Sequence, residues 1–252
     1  MIERQIDIAT RDGAMSTFVC HPERGGPHPL VIFYMDAPGI REELRDMARR
    51  LGTAGYYVML PNLYYRSGEN ELGDFIGEAG AAVRSKMMSL MATLDIAMVL
   101  SDTDALFAFA DADPAASKGP VGTVGYCMSG QHAISAAARK PDRVAAAASI
   151  YGVRLLTDRP DSPHLAARQG KAEIYVGWAE IDHYAPLEQF EPLKAALAEA
   201  GLNAQVELYP AAEHGFAFPG RPARWSWSGM SRPARPGRSP AGSRRCPAAS
   251  AR

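Results

Sequence analysis

Short, wholly apolar runs alternate along the chain with longer segments whose apolar residues recur at helical spacing. The N-terminal stretch predicts a β-hairpin, because two extended segments flank the turn signal Asp12-Gly13. Further strands are predicted at residues 30–34, 57–60, 120–125, 144–150, 174–177 and 205–209. Helices are predicted at residues 41–54, in two pieces over 78–111, at 130–139 and at 187–200. This alternation is typical of an α/β fold in which helices cover both faces of a mostly parallel central sheet.

Three polar residues follow three of these predicted strands, namely Cys127, Asp182 and His214. In a sheet of parallel strands the ligand crevice lies at the carboxyl ends, so these side chains are expected at one edge of the sheet. Their order along the chain is nucleophile, acid and histidine, which is the order of the catalytic triad on the α/β-hydrolase fold. The pattern therefore predicts that these three residues are catalytic.

The residues around Cys127 favour a nucleophile at a tight turn. Gly125 and Gly130 flank the cysteine, and a turn from a strand straight into a helix needs small residues where backbones come close. The turn also places the thiol at a helix N-terminus, where the helix dipole favours the thiolate. Cysteine is also among the most buried residue types, so Cys127 alone would be interpreted as a packed core thiol. The joint placement with Asp182 and His214 favours the catalytic interpretation.

Composition and charge narrow the classes of function. The chain has 252 residues, 47% of them hydrophobic, and a net charge of −1, so we expect neither a nucleic-acid partner nor a membrane partner. Three cysteines do not form a disulfide framework, and this count favours a reducing, cytoplasmic location. The sequence shows no apolar signal-peptide segment and no apolar run long enough to span a membrane. Because the histidines lack metal-ligand spacing and no glycine-rich phosphate loop occurs, neither a metal nor a cofactor is predicted.

The chain resembles the dienelactone hydrolase family, which comprises α/β-hydrolases with a cysteine nucleophile. The matching segments are Gly-Tyr-Cys-Met-Ser-Gly around Cys127, the Asp182 loop, His214 followed by Gly-Phe-Ala-Phe, and residues 30–39 and 57–66. The resemblance spans about residues 1–220, and it implies a single α/β-hydrolase domain over that range.

The resemblance also implies a mechanism. The Cys127 thiolate would attack an ester or lactone carbonyl, His214 would act as acid and base, and Asp182 would orient the imidazole. The oxyanion would be held by the backbone N–H of Met128 and by one from the loop after residues 30–34, expected at Ala37. Water would then hydrolyse the acyl thioester. The expected partner is therefore a small-molecule ester or lactone.

The sequence departs from the family in ways that bear on the substrate. Asp36 stands near the place where dienelactone hydrolases carry a glutamate linked to thiol activation, so it is a candidate thiol-activating acid or a plain loop acid. Gly215 and Phe218 stand where the family has a serine and a carboxylate-binding arginine. Arg66 is either an anion partner or an exposed arginine, and Tyr126, Arg66 and Phe218 are the candidate substrate-binding residues. These departures favour a less charged ester over a dienelactone.

Residues 221–252 differ from the rest of the chain. They contain eight arginines, five prolines and no acidic residue, and they lack Leu, Ile, Val and Phe. The family continues here with an acidic amphipathic helix that covers the sheet, whereas this basic Pro/Arg-rich tail is predicted to be disordered. A reading-frame shift near residue 222, a natural basic tail and vector sequence are the origins that stay open.

Two further functions remain open beside the leading one, which is a cysteine-dependent hydrolase of carboxylic esters or lactones. The first is an inactive α/β-hydrolase scaffold that binds a small molecule. The second is a thiol amidase or redox protein, which is disfavoured because no second cysteine lies near Cys127 in the sequence to resolve a sulfenate. The sequence is compatible with a monomer or a homodimer.

Overall fold

The computed structural model describes residues 1–218, which build an eight-stranded sheet and six α-helices. The strands are β1 (Ile2–Thr10), β2 (Gly13–His21), β3 (Leu30–Tyr34), β4 (Tyr57–Pro61), β5 (Val121–Tyr126), β6 (Val144–Ile150), β7 (Glu173–Ile181) and β8 (Ala204–Glu213). The helices are α1 (Glu42–Thr53), α2 (Ala81–Ala92), α3 (Ile96–Ala112), α4 (Gly130–Arg139), α5 (Pro163–Ala166) and α6 (Phe190–Glu199). Within this part of the chain, no helix combines the length and the apolar character that crossing a membrane requires.

The strand order in the sheet is β1-β2-β4-β3-β5-β6-β7-β8. The hairpin strands β1 and β2 are antiparallel to each other, and β2 is antiparallel to β4, whereas all pairs from β4 to β8 are parallel. Strands β3 and β4 are buried along their whole length, as apolar runs in the middle of a parallel sheet should be. The predicted α/β fold with a mostly parallel central sheet is confirmed.

Helices lie on both faces of the sheet. On one face α1 packs against β2 and β4 and buries Leu44, Met47 and Ala48, which recur at helical spacing. On the other face α4 packs against β5 and β6, and the Thr123 hydroxyl donates a hydrogen bond of 3.0 Å to the Ala133 carbonyl. The nucleophile candidate lies directly between β5 and α4, so the packing of α4 positions it.

The face that carries α1 is only partly covered by residues 1–218. Beside α1, strands β5 and β6 form the floor of an apolar groove of about 850 Å³. The lining includes Val31, Leu51, Val124, Ala146, Tyr175 and Ala217. Parallel strands are normally buried on both faces, so this groove is an unusually open part of the sheet. The basic tail predicted at residues 221–252 lies outside the described residues.

The last two strands run further than the sequence pattern predicts. β7 continues to Ile181 and β8 to Glu213, so Asp182 and His214 follow their strands without an intervening loop. The predicted strand ends at residue 209, directly before Pro210, a residue that cannot donate to a strand ladder. β8 is the edge strand of the sheet, where proline is tolerated, and a register shift between β7 and β8 accommodates the longer pairing.

Candidate active site

The four neighbouring strands β5, β6, β7 and β8 each deliver one side chain to the same edge of the sheet. The residues that directly follow these strands are Cys127, Tyr151, Asp182 and His214. Because the strands are parallel and adjacent, their carboxyl ends meet, and the three residues predicted as catalytic are brought together. Among residues 1–218, no three His, Cys, Asp or Glu side chains form a cluster that could hold a metal ion.

Cys127 occupies a strained backbone conformation at the turn between β5 and α4. Its φ is 54°, a left-handed value that costs a non-glycine residue about 1–3 kcal/mol. The turn is closed so tightly that a Cβ on Gly125 would overlap the Ser129 carbonyl oxygen, and one on Gly130 would overlap the Ser149 hydroxyl. Glycine is therefore required at both positions, as the sequence pattern indicated.

The turn is held in place by the loops on either side of it. The Val153 N–H donates to the Cys127 carbonyl at 3.1 Å, and the Ser129 hydroxyl donates to the Met35 carbonyl at 2.5 Å. The Cys127 side chain is half-buried, at the start of the helical segment that leads into α4. Cys20, by contrast, is fully buried, and burial raises the pKa of its thiol to about 12. Of these two thiols, Cys127 is the one placed to react.

Asp182 uses both carboxylate oxygens. One oxygen accepts a hydrogen bond from His214 Nδ1 at 2.7 Å. The other accepts the backbone N–H groups of Tyr184 at 2.8 Å and Ala185 at 3.1 Å. The Asp182 side chain is fully buried, and these three donors compensate the cost of burying its charge. The carboxylate is therefore fixed by its own loop while it orients the imidazole.

The imidazole of His214 is held between two aromatic rings and prefers to be charged. Tyr151 and Tyr184 both meet it edge to face, each with ring centroids 4.9 Å away. Burial favours the neutral ring, but the hydrogen bond to Asp182 and the contact with Cys127 outweigh it and raise the pKa of His214 to about 9. Nε2 is buried and makes no regular hydrogen bond within residues 1–218.

The two residues predicted for the oxyanion hole are linked by a buried tyrosine. Ala37 lies in the loop after β3, and Met128 follows Cys127; both are buried. The Tyr64 hydroxyl donates to the Ala37 carbonyl at 2.8 Å and lies 3.4 Å from the Met128 sulfur. Burial, together with the negative charges of Asp36 and Cys127, raises the pKa of Tyr64, so its hydroxyl stays protonated. Tyr64 thus ties the loop after β3 to the cysteine turn.

Asp36 is engaged by an arginine rather than left free beside the thiol. Its two carboxylate oxygens accept hydrogen bonds from Arg41 at 2.6 and 3.0 Å. Arg41 also pairs with Glu43 at 2.8 Å, and its guanidinium carbon lies 4.9 Å from the centre of the Phe218 ring. Asp36 is predicted to activate the thiol, but Arg41, five residues away, competes for this carboxylate as a bidentate partner.

Two of the candidate substrate-binding residues belong to an aromatic cluster. The Phe218 ring lies 5.6 Å from that of Tyr126 and 6.0 Å from that of Tyr151, measured between centroids. Tyr151 in turn contacts His214. Phe218 is buried, so this cluster packs Tyr151 against His214 within the core.

Arg66 is paired with two carboxylates of the protein. Its guanidinium binds both oxygens of Asp102 at 2.8 Å, and Asp12 at 2.7 and 3.0 Å. Asp102 is a buried residue of α3, whereas Asp12 lies in the β1–β2 turn. Arg66 thus joins the hairpin to α3, and its substrate-binding role stays a prediction.

Four residues around the site were not singled out from the sequence: Arg41, Tyr64, Tyr151 and Tyr184. Tyr151 carried a usable signal, because it directly follows a predicted strand, as Cys127 follows its own. Tyr184 carried a weaker one through its place two residues after Asp182. Arg41 and Tyr64 act through contacts with other loops, and no local sequence pattern predicts such contacts.

Comparison with known proteins shows the family to which the chain belongs. The model of the "Dienelactone hydrolase family" matches residues 15–234. A "Putative carboxymethylenebutenolidase" of Methylorubrum extorquens is 30% identical over 227 residues, which cover 88% of this chain and 75% of the relative. The crystal structure of a "Putative Dienelactone Hydrolase" from Klebsiella pneumoniae superposes with a TM-score of 0.73 at 25% identity, covering 86% of this chain and 88% of that one. The chain therefore belongs to the dienelactone hydrolase family, and it is a dienelactone hydrolase-like hydrolase with the α/β-hydrolase fold of that family.

Proposed function

We propose that the chain hydrolyses carboxylic esters or lactones through a cysteine nucleophile and an acyl-thioester intermediate. The observation that carries the proposal is the 2.7 Å hydrogen bond from His214 to Asp182, at the edge of the sheet where Cys127 occupies a strained turn at the start of a helical segment. Strain at such a turn is typical of nucleophiles that must project into a crevice.

Acylation begins from a thiolate beside an imidazolium. The Cys127 sulfur attacks the carbonyl carbon, and the developing oxyanion accepts hydrogen bonds from the backbone N–H groups of Met128 and Ala37. When the tetrahedral intermediate collapses, the bond between carbon and the leaving oxygen breaks. That oxygen takes the proton from Nε2 of His214 and departs as an alcohol, leaving a thioester and a neutral imidazole.

Deacylation returns the site to its starting state. Neutral His214 takes a proton from water at Nε2, and the hydroxide adds to the thioester carbonyl. The carbon–sulfur bond then breaks, so Cys127 leaves as a thiolate beside the restored imidazolium. Asp182 stabilises the imidazolium in both steps and keeps Nε2 directed at the reacting atoms.

We assign the proton transfers to His214 rather than to Asp36. Both oxygens of Asp36 are occupied by Arg41, which leaves this carboxylate a poor base in the observed arrangement. The same pairing neutralises Arg41, and Arg66 is neutralised by Asp102 and Asp12. With these guanidinium groups occupied, an uncharged ester suits the site better than one that carries a carboxylate.

The proposal is tested by turnover of an activated ester by the wild type, by Cys127→Ala and by the control Cys20→Ala. We expect Cys127→Ala to abolish turnover and Cys20→Ala, which alters a buried thiol of the core, to retain it. Acid quenching during turnover should trap an acyl adduct on the peptide that contains Cys127. Binding without turnover in the wild type would instead support the scaffold that only binds a small molecule.

A further inference from the structure

Tyr184 is an exposed aromatic residue that is nevertheless held against His214. The Tyr184 backbone N–H donates to Asp182, the same carboxylate that orients the imidazole. Its ring meets the imidazole edge to face at 4.9 Å between centroids, yet 61% of the residue is exposed. The loop thus fixes a large apolar surface beside the candidate acid/base, facing solvent.

The two aromatic rings that flank His214 differ in their exposure to solvent. Tyr151 is buried and joins the aromatic cluster behind the site. Tyr184 lies on the solvent side, in a loop flanked by two other exposed apolar residues, Ile181 at the end of β7 (57% exposed) and Leu187 (41% exposed). Ligand sites are lined mainly by apolar and aromatic side chains, so a large ring held in the open beside a candidate reactive group is a candidate substrate contact.

The proposed mechanism determines which part of the substrate reaches this surface. Nε2 of His214 gives its proton to the leaving oxygen, so the leaving group must lie against the imidazole during acylation. A ring packed on the solvent side of that imidazole is therefore placed within reach of the leaving group. We propose that Tyr184 binds the leaving group and that the preferred substrates are uncharged esters with an aromatic leaving group. This inference rests on the proposed function.

The test compares two acetate esters, phenyl acetate and 2,2,2-trifluoroethyl acetate. Both form the same acetyl thioester, so deacylation is identical and any difference in kcat/KM belongs to acylation, when the leaving group is still bound. We expect Tyr184→Ala to lower kcat/KM for phenyl acetate about 3- to 10-fold, the effect of losing one aromatic pair, and to leave trifluoroethyl acetate unchanged. Tyr184→Phe should retain wild-type values, and Tyr56→Ala serves as the matched exposed control, because Tyr56 precedes β4 at the opposite edge of the sheet.

Product inhibition supplies a readout that does not depend on the chemical step. Phenol should inhibit the wild type competitively, and Tyr184→Ala should weaken that inhibition by the same factor. An equal loss with both esters would show that Tyr184 only positions His214, and no loss with either would show no role; both results overturn the inference. A wild type that turns over neither ester would overturn the proposed function itself, and the inference with it.

Discussion

Asp182 Oδ2 and His214 Nδ1 lie 2.7 Å apart, in a hydrogen bond that joins the ends of two adjacent strands. Because β7 and β8 are parallel neighbours, the first residue after each strand meets the other at the edge of the sheet. The bond holds the imidazole with Nε2 directed away from Asp182. The position of the proton that the proposed mechanism moves is thus decided by strand pairing.

Asp182→Asn should preserve the fold but remove most of the activity. The amide can still bond to His214, yet it no longer stabilises the imidazolium and it favours the wrong tautomer. We expect kcat/KM for an activated ester to fall by about 10³- to 10⁴-fold, with an unchanged circular dichroism spectrum. A variant that keeps more than a tenth of wild-type activity would contradict the role given to Asp182.

The raised pKa of His214 makes part of the stability depend on pH. A group whose pKa is higher in the folded state stabilises it fully below the unfolded value, ordinarily about 6.5, and this contribution is lost as pH rises through the folded value of about 9. The wild type should therefore lose up to about 3 kcal/mol relative to His214→Gln between those limits. Urea unfolding of both proteins across this range measures the difference. A gap that stays constant with pH would contradict the raised pKa.

Gly125 and Gly122 lie on the same strand and provide a matched pair for the cysteine turn. A Cβ on Gly125 would overlap the Ser129 carbonyl oxygen, whereas one on Gly122 would meet only a methyl group of Val31 at 3.5 Å. We expect Gly125→Ala to cost about 3 kcal/mol or more of unfolding free energy, and Gly122→Ala to stay within about 1 kcal/mol of wild type. If both variants lose the same unfolding free energy in urea, the backbone at Gly125 is not packed more closely than the backbone at Gly122.

Variants of Asp36 test whether His214 or Asp36 transfers the proton. Asp36→Asn should destabilise the protein by about 2–4 kcal/mol, because the largely buried guanidinium of Arg41 loses its main partner. The double variant with Arg41→Gln should recover part of that loss. The rate of Cys127 alkylation should be unchanged in both variants once they are folded. A large fall in that rate in folded Asp36→Asn would give Asp36 the thiol-activating role after all.

The parts of the site that the sequence predicted depend on local pattern and one topological rule. Cys127, Asp182 and His214 each follow a recognisable apolar strand, and parallel pairing gathers strand ends at one edge. The two glycines around Cys127 were equally visible, because a tight turn admits little else. No knowledge of loop shape was needed for these residues.

The ion pairs of Arg66 and Asp36 could not be predicted from the sequence, for a physical reason. Arg66 meets Asp102 only because α3 packs beside the hairpin, and 36 residues separate the two along the chain. Asp36 and Arg41 are close in sequence, but their pairing requires a loop that turns through Gly39 at a φ of 82°. The packing of loops and helices determines which charged side chains form pairs. Composition and sequence spacing carry little information about that packing.

The most direct test of the central claim is the pH dependence of Cys127 alkylation by iodoacetamide, in the wild type and in His214→Ala. Mass mapping of the peptide that contains Cys127 separates this thiol from Cys20 and Cys246. An ordinary cysteine ionises near ~8.5. The account predicts rapid alkylation of Cys127 in the wild type near neutral pH, and a loss of about tenfold or more there in His214→Ala. Identical profiles in the two proteins, or an inert Cys127 in the folded wild type, would contradict it.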